Sequence, residues 1–186
     1  MKKIALLISL AFIVIKANAQ EVFQSKAMNV SFFSSTAMED IDAKTANATS
    51  VISTAKNDIL FMIQVKSFIF KSSLMQEHFN ENYLESDKFP DAKFIGKINE
   101  NIDWKKDGNY SVTVTGKLTM HGVEKDRTIP GTITIKGGVV SVSSQFDVGC
   151  KEHNIQIPSV VSEKIAEFVK VKVSGNYSLF VRPEKK

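Results

Sequence analysis

Val169-Lys170-Val171-Lys172-Val173-Ser174-Gly175-Asn176-Tyr177-Ser178-Leu179-Phe180-Val181-Arg182 alternates an apolar face with a mostly polar one along its length. Successive side chains of an extended strand point to opposite faces, so this period of two predicts a long strand with one face covered and one wet. Gly175 in its middle is expected to allow a bend or bulge. The same alternation extends outward through the chain. Tyr110, Val112, Val114, Leu118 and Met120 alternate with Ser, Thr and Lys. Ile129, Ile133 and Ile135 repeat it, as do Val140, Val142, Phe146 and Val148 after a Gly137-Gly138 turn. Phe94, Ile98 and Ile102 form a further set, and Met28, Val30 and Phe32 an early one.

Two kinds of segment depart from this pattern. The run Ile59 to Phe70 is apolar on both parities, which predicts one strand covered on both faces. Ser73-Leu74-Met75-Gln76 reads as a capping box with Ser73 as N-cap, opening a helix that stacks Met75, Phe79 and Tyr83 and ends by Phe89-Pro90. A second helix is expected from about Ser159 or Ser162 into the last strand, because Val161, Ile165, Phe168 and Val169 follow helical spacing. About eight strands and one or two short helices imply a mainly β fold, an antiparallel barrel or a sandwich. A barrel of eight strands has room for side chains or for one small ligand, and strand number does not choose between them.

The chain opens with a leader. Lys2 and Lys3 precede an apolar run from Ile4 to Ile15, and Ala17-Asn18-Ala19 is a small-x-small cleavage pattern. The expected division is a signal peptide over residues 1–19 and one β domain over 20–186, placed in the periplasm or secreted, with no stable membrane span after cleavage. Removing Lys2, Lys3 and Lys16 from 24 basic residues leaves 21 against 20 acids, a net charge of +1. A nucleic-acid partner would need a face with a strong excess of basic residues, so this balance argues against one. The single Cys150 excludes an intrachain disulfide framework.

Chemistry is sparsely signalled. Three histidines stand alone, with no HExxH and no glycine-rich phosphate loop. Cys150-Lys151-Glu152-His153 places a thiol near an imidazole, the start of a thiol nucleophile or half a metal site, without a third orienting residue. The expectation is no enzyme, no metal and no cofactor. Apolar signals are richer: 13 Phe against one Trp and three Tyr favour a dry interior. Those rings either fill a core or line a cavity for an apolar guest.

A resemblance narrows these alternatives. Phe68 through Ser86, followed by Phe89-Pro90-Asp91-Ala92-Lys93-Phe94, resembles the strand, helix and YP-x-A-x-F step of the YceI-like family. Gly116-Lys117-Leu118-Thr119-Met120-His121-Gly122-Val123 is similar to its G-x-L-T-hydrophobic-x-G-V segment, and Ile157-Pro158 through Val173 to its closing segment. The resemblance implies an antiparallel, eight-stranded, lipocalin-like barrel that binds or carries a long apolar lipid, such as an isoprenoid, an isoprenoid quinone or a fatty-acid-like chain. Many members begin with Asp-x-x-His-Ser, but Gln24 to Ser35 contains no His, so no role of that His transfers. The lining residues expected from face and composition are Phe61, Ile63, Phe68, Phe70, Phe79 and Phe94, with Val112, Val114, Leu118, Phe146, Ile165 and Phe168. A filled barrel acting through its surface, a Cys150–His153 enzyme and a homodimer are the open alternatives.

Overall fold

The structure, a computed structural model, describes residues 21–180. The leader and its cleavage site, and Val181 and Arg182 of the last strand, lie outside the described residues. Nine strands form one antiparallel sheet: β1 (Val22–Ser35), β2 (Asp40–Ser53), β3 (Asp58–Gln64), β4 (Ile69–Phe70), β5 (Asp91–Ile98), β6 (Gly108–Met120), β7 (Val123–Lys136), β8 (Val139–Gly149) and β9 (Phe168–Leu179). Their order is β1-β9-β8-β7-β6-β5-β3-β2, and β1 also pairs with β2, so eight strands close into an up-and-down barrel. The short β4 sits outside the ring, pairing with β2 at Ala43–Phe70 and Lys44–Ile69. Each strand of the ring has a partner on both sides, but β7 and β8 pair only from Gly131–Ser144 to Lys136–Val139.

Local chemistry sets the turns. Met120 pairs with Val123 and Lys136 with Val139, leaving two-residue loops. His121 and Gly122 have φ of 50° and 72°, and Gly137 and Gly138 have 56° and 78°. Two positive φ values make each a type I′ hairpin, whose twist matches that of its strands.

Several segments differ from their sequence reading. The Ile59–Phe70 run is broken into β3, a 3-10 turn over Val65–Ser67 and β4. Its second apolar face is not covered: Leu60 pairs with Val51 and Ile95, and all three are exposed on the outside of the barrel. Gly175 makes no bulge in β9. A Cβ there would lie 2.4 Å from the Met28 sulfur, so the glycine makes room for a fully buried side chain. The bulges lie elsewhere, in β1 between Ser25 and Met28 and in β2 between Thr45 and Ala48.

The first helix, α1 (Ser73–His78), is capped by Ser72 rather than Ser73, and continues through a π turn over Phe79–Tyr83. Gln76 does reach back, but its Oε1 accepts from the Phe70 N–H, tying the helix to β4. The chain leaves the helix at Glu85, whose φ is +43°, before Phe89-Pro90. The second helix does not form. Only a 3-10 turn over Ser159–Val161 is present. So short a segment cannot repay helix nucleation, and two adjacent β-branched valines weaken it further.

Both long connections lie at the same end of the barrel. Residues 65–90 join the end of β3 to β5, and residues 150–167 join the end of β8 to β9, beside the β1–β2 and β6–β7 turns. The interior divides by height. At the opposite end the core is filled: Met28, Ala48, Ile52, Ile98, Ile135 and Val140 are buried, and the Trp104 ring stacks on Phe23 at 5.9 Å. Tyr177 crosses this half and donates to Ser50 Oγ at 2.7 Å, while Ser50 donates to the Leu60 carbonyl at 2.8 Å. Burial pushes the Tyr177 phenol up to about 12, so it remains a neutral donor.

Candidate functional site

The half of the barrel beneath the two long connections is not filled. It encloses a cavity of about 420 Å³ with an almost wholly apolar wall. The barrel supplies Val30 and Phe32 from β1, Ile63 from β3, Ala92 from β5, Phe146 from β8 and Val171 from β9. Strand alternation aims these side chains inward. The 65–90 connection covers the cavity with Phe68, Phe70, Met75, Phe79 and Leu84, and the 150–167 connection adds Cys150, Ile157 and Ile165. Ser34, Glu39, His78, Tyr83 and Lys164 are the polar groups on this wall.

Of the expected lining residues, Ile63, Phe68, Phe70, Phe79, Leu118, Phe146 and Ile165 stand on the cavity wall. Phe61, Phe94, Val112 and Val114 point inward but pack in the core below the cavity, deeper in the barrel than Ile63, Ala92 and Leu118 of the same strands. Phe168 is 58% exposed at the start of β9, facing away from the interior. Its helical placement beside Ile165 fails because the helix does not form. Ile41, on a strand the sequence reading passed over, also lines the wall. Val30, Phe32, Val169 and Val171 line it too; their alternation is readable, but their height in the barrel is not.

A polar pin joins the covering segments. His121, in the β6–β7 turn, has Nδ1 3.0 Å from the His153 carbonyl and Nε2 2.8 Å from Glu85 Oε2. A carbonyl can only accept, so Nδ1 carries a proton and donates. Glu85 Oε2 accepts from Nε2 when the ring carries a proton there as well. The Phe89 ring packs edge-on against the same imidazole at 4.8 Å. One side chain thus holds both long connections to a rigid hairpin.

Cys150 and His153 do not form a catalytic pair. The thiol's polar neighbour is the Ala166 carbonyl at 3.9 Å, while His153 Nδ1 donates to the Val123 carbonyl at 3.2 Å. Burial raises the Cys150 thiol above its ordinary value, opposite to what an activated thiolate needs. Among the described residues no group of three or more His, Cys, Asp or Glu side chains is placed to hold a metal ion.

His153 is fully enclosed, and its Nε2 has no hydrogen-bond partner. Desolvation holds its pKa below the ordinary imidazole value, against the opposing pull of the Val123 and Met120 carbonyls. The unfolded chain therefore takes up a proton near pH 6.5, while the folded chain does so only at lower pH. Between those values the unfolded state binds more protons, so this group's contribution to stability rises with pH and is lost as pH falls through that window. The urea midpoint of His153→Gln is expected to fall less between pH 7 and pH 5 than that of the parent protein. Parallel profiles would remove His153 as the source.

Comparison with known proteins places this architecture. Residues 14–177 match the YceI-like domain. The chain belongs to the YceI-like family. Its fold recurs in a polyisoprenoid binding domain from Saccharophagus degradans implicated in plant cell wall breakdown (TM-score 0.74, 13% identity, covering 86% of this chain and 99% of that one). It recurs in Burkholderia cenocepacia BcnA (TM-score 0.69, 18% identity, 81% and 96%) and in a Campylobacter jejuni YCEI protein (TM-score 0.59, 14% identity, 75% and 85%). No curated protein matches the chain. Identities this low establish a shared fold. In this YceI-like chain that fold carries one apolar cavity wall built from barrel and cover together.

Proposed function

We propose that the protein is an exported lipid-binding protein that holds the apolar chain of an isoprenoid, an isoprenoid quinone or a fatty-acid-like lipid as carrier or store. The observation that carries this reading is the roughly 420 Å³ apolar cavity beneath the 65–90 and 150–167 connections. The polyisoprenoid binding named for the Saccharophagus degradans domain supports it. A void of this size lined by Phe, Ile and Val gains stability when methylenes replace water, by about 0.8 kcal/mol for each one buried. At about 30 Å³ for a water-sized group, it takes roughly 14 non-hydrogen atoms, or three five-carbon isoprene units. The filled half of the barrel stops a longer chain from threading through, so its remainder lies toward the cover.

Binding, not catalysis, is what the groups on the wall support, since the interior offers no activated nucleophile. Export rests on the Lys2–Ala19 leader, and amino-terminal sequencing of protein recovered outside the cytoplasm should begin at Gln20. No helix among the described residues is long and apolar enough to cross a membrane.

The test is mass spectrometry of an organic extract of the exported protein, set beside Ala92→Trp. Ala92 sits on the cavity wall in β5, where an indole projects into space instead of into a filled core. The parent is expected to yield a long-chain lipid in stoichiometric amount, and the variant to stay folded with roughly a tenth of that lipid or less. Equal lipid in both proteins would count against the cavity as the binding site. An empty extract from both, even after lipids are offered, would return attention to the outer surface.

A further inference from the structure

Besides Phe168, four large apolar side chains are exposed beside the cavity wall, each on a different part of the cover end. Met38 in the β1–β2 turn is 62% exposed, Ile69 in β4 63%, Leu74 in α1 57% and Val160 in the 150–167 connection 88%. Three of them adjoin a wall residue in sequence: Met38 precedes Glu39, Ile69 precedes Phe70 and Val160 precedes Val161. Leu74 is itself on the wall while more than half of it meets solvent, so apolar surface continues from the cavity to the outside.

From this continuity we propose that the cover end docks on a lipid surface, with Met38, Ile69 and Val160 inserted among the acyl chains around the cavity mouth. The inference rests on the lipid-binding reading. A guest that passes through water exposes its whole chain on the way, whereas a mouth rimmed by inserted apolar groups opens directly onto the bilayer interior. Charge selects the kind of surface. The β1–β2 turn and the 65–90 and 150–167 connections together carry five lysines against eight Asp and Glu residues, so this end has no excess of positive charge. The fitting partner is therefore a zwitterionic bilayer held by apolar insertion, in contrast to an anionic one held by a lysine cluster.

The test compares the parent protein with the triple variant Met38→Ser, Ile69→Ser, Val160→Ser. None of the three lines the cavity, and exposed apolar-to-polar changes of this kind disturb folding little. Flotation with phosphatidylcholine vesicles measures docking, and fluorescence of N-phenyl-1-naphthylamine measures cavity binding in vesicle-free solution. The parent is expected to float at both low and high salt, and the variant's partition to fall by roughly tenfold or more, with dye binding equal in the two. Equal flotation of parent and variant would overturn the proposal, as would no flotation of the parent. Binding that requires anionic lipid and disappears at high salt would overturn apolar insertion. A parent that sediments as a dimer, with a monomeric variant and no flotation by either, would reassign the rim to a second copy of the chain. Absence of dye binding in both proteins, with the difference in flotation intact, would sink the cavity reading and leave the docking surface established.

Discussion

Replacing Phe79 by alanine is expected to destabilise the protein by about 3 kcal/mol and to empty its cavity. Phe79 opens the π turn that continues α1, and it is the ring through which that helix reaches the barrel. Its centroid lies 5.4 Å from Phe32 of β1, 5.8 Å from Phe68 and 5.0 Å from Phe70. Phe32 in turn meets Phe68 at 5.3 Å and Phe70 at 5.7 Å. The alanine removes three of these five ring contacts, each worth about 0.5–1.5 kcal/mol beyond area burial, and leaves its void against the ligand space. Because Phe79 is half-buried, the loss falls at the low end for a phenylalanine truncation. The cover then opens at less cost, and each 1.4 kcal/mol removed from opening speeds ligand escape by about tenfold. Phe79→Leu restores area without the ring geometry and should recover more than half of the lost stability. A Phe79→Ala protein with the parent's urea midpoint and lipid content would show that the helix is not held by this cluster.

How much of this was readable from the residues depends on what each strand puts inside. β6, β7, β8 and β9 place Val, Ile, Leu and Phe inward and Lys, Ser and Thr outward, so their alternation announces them. β2 does not. It turns Ala43, Thr45, Ala48 and Ser50 inward, small or polar residues without contrast to their neighbours. Its inward parity also changes between Thr45 and Ala48, at its own bulge, so no single period runs through it. Asp40 and Asp42 at its start add charge instead of apolar contrast. The outward Leu60 and Met62 misled in the opposite sense, because apolar residues on an exposed face mimic a strand buried on both sides.

The candidate site was readable as a face but not as a height. Phe94 and Phe146 point into the same barrel, yet only Phe146 reaches the cavity. What separates them is where the filled core stops, a property of the packed tertiary interior that no strand pattern contains. The π turn that positions Phe79 and the pin made by His121 depend equally on partners distant in sequence. The resemblance located the right fold, and the unpaired inward volume had to come from three dimensions.

That floor to the cavity is also where a single methyl group should do the most damage. Gly96 of β5 and Gly116 of β6 are direct cross-strand partners, both on the inward face. A Cβ on Gly116 would lie 2.2 Å from the Ile95 carbonyl oxygen and 2.4 Å from the Gly96 Cα. Both are backbone atoms of a strand paired on two sides, to β3 and to β6, so neither can retreat without opening a ladder. The space over Gly96 is taken by the Phe94 ring, which would stand 2.8 Å from a Cβ there, and Phe94 packs with Leu118, Ile129 and Val148 to close the bottom of the cavity. Gly116→Ala is therefore expected to cost about 4 kcal/mol or more, a large share of the 5–15 kcal/mol that holds a domain together. Gly108→Ala is the control: at the start of the same strand its added Cβ meets only the Tyr110 ring, at 3.4 Å, and stability should change by less than about 1 kcal/mol. Chemical unfolding of the two variants reads the difference. Similar midpoints would mean that β5 and β6 part without cost, and that the close pairing of these two glycines is not what seats Phe94 beneath the cavity.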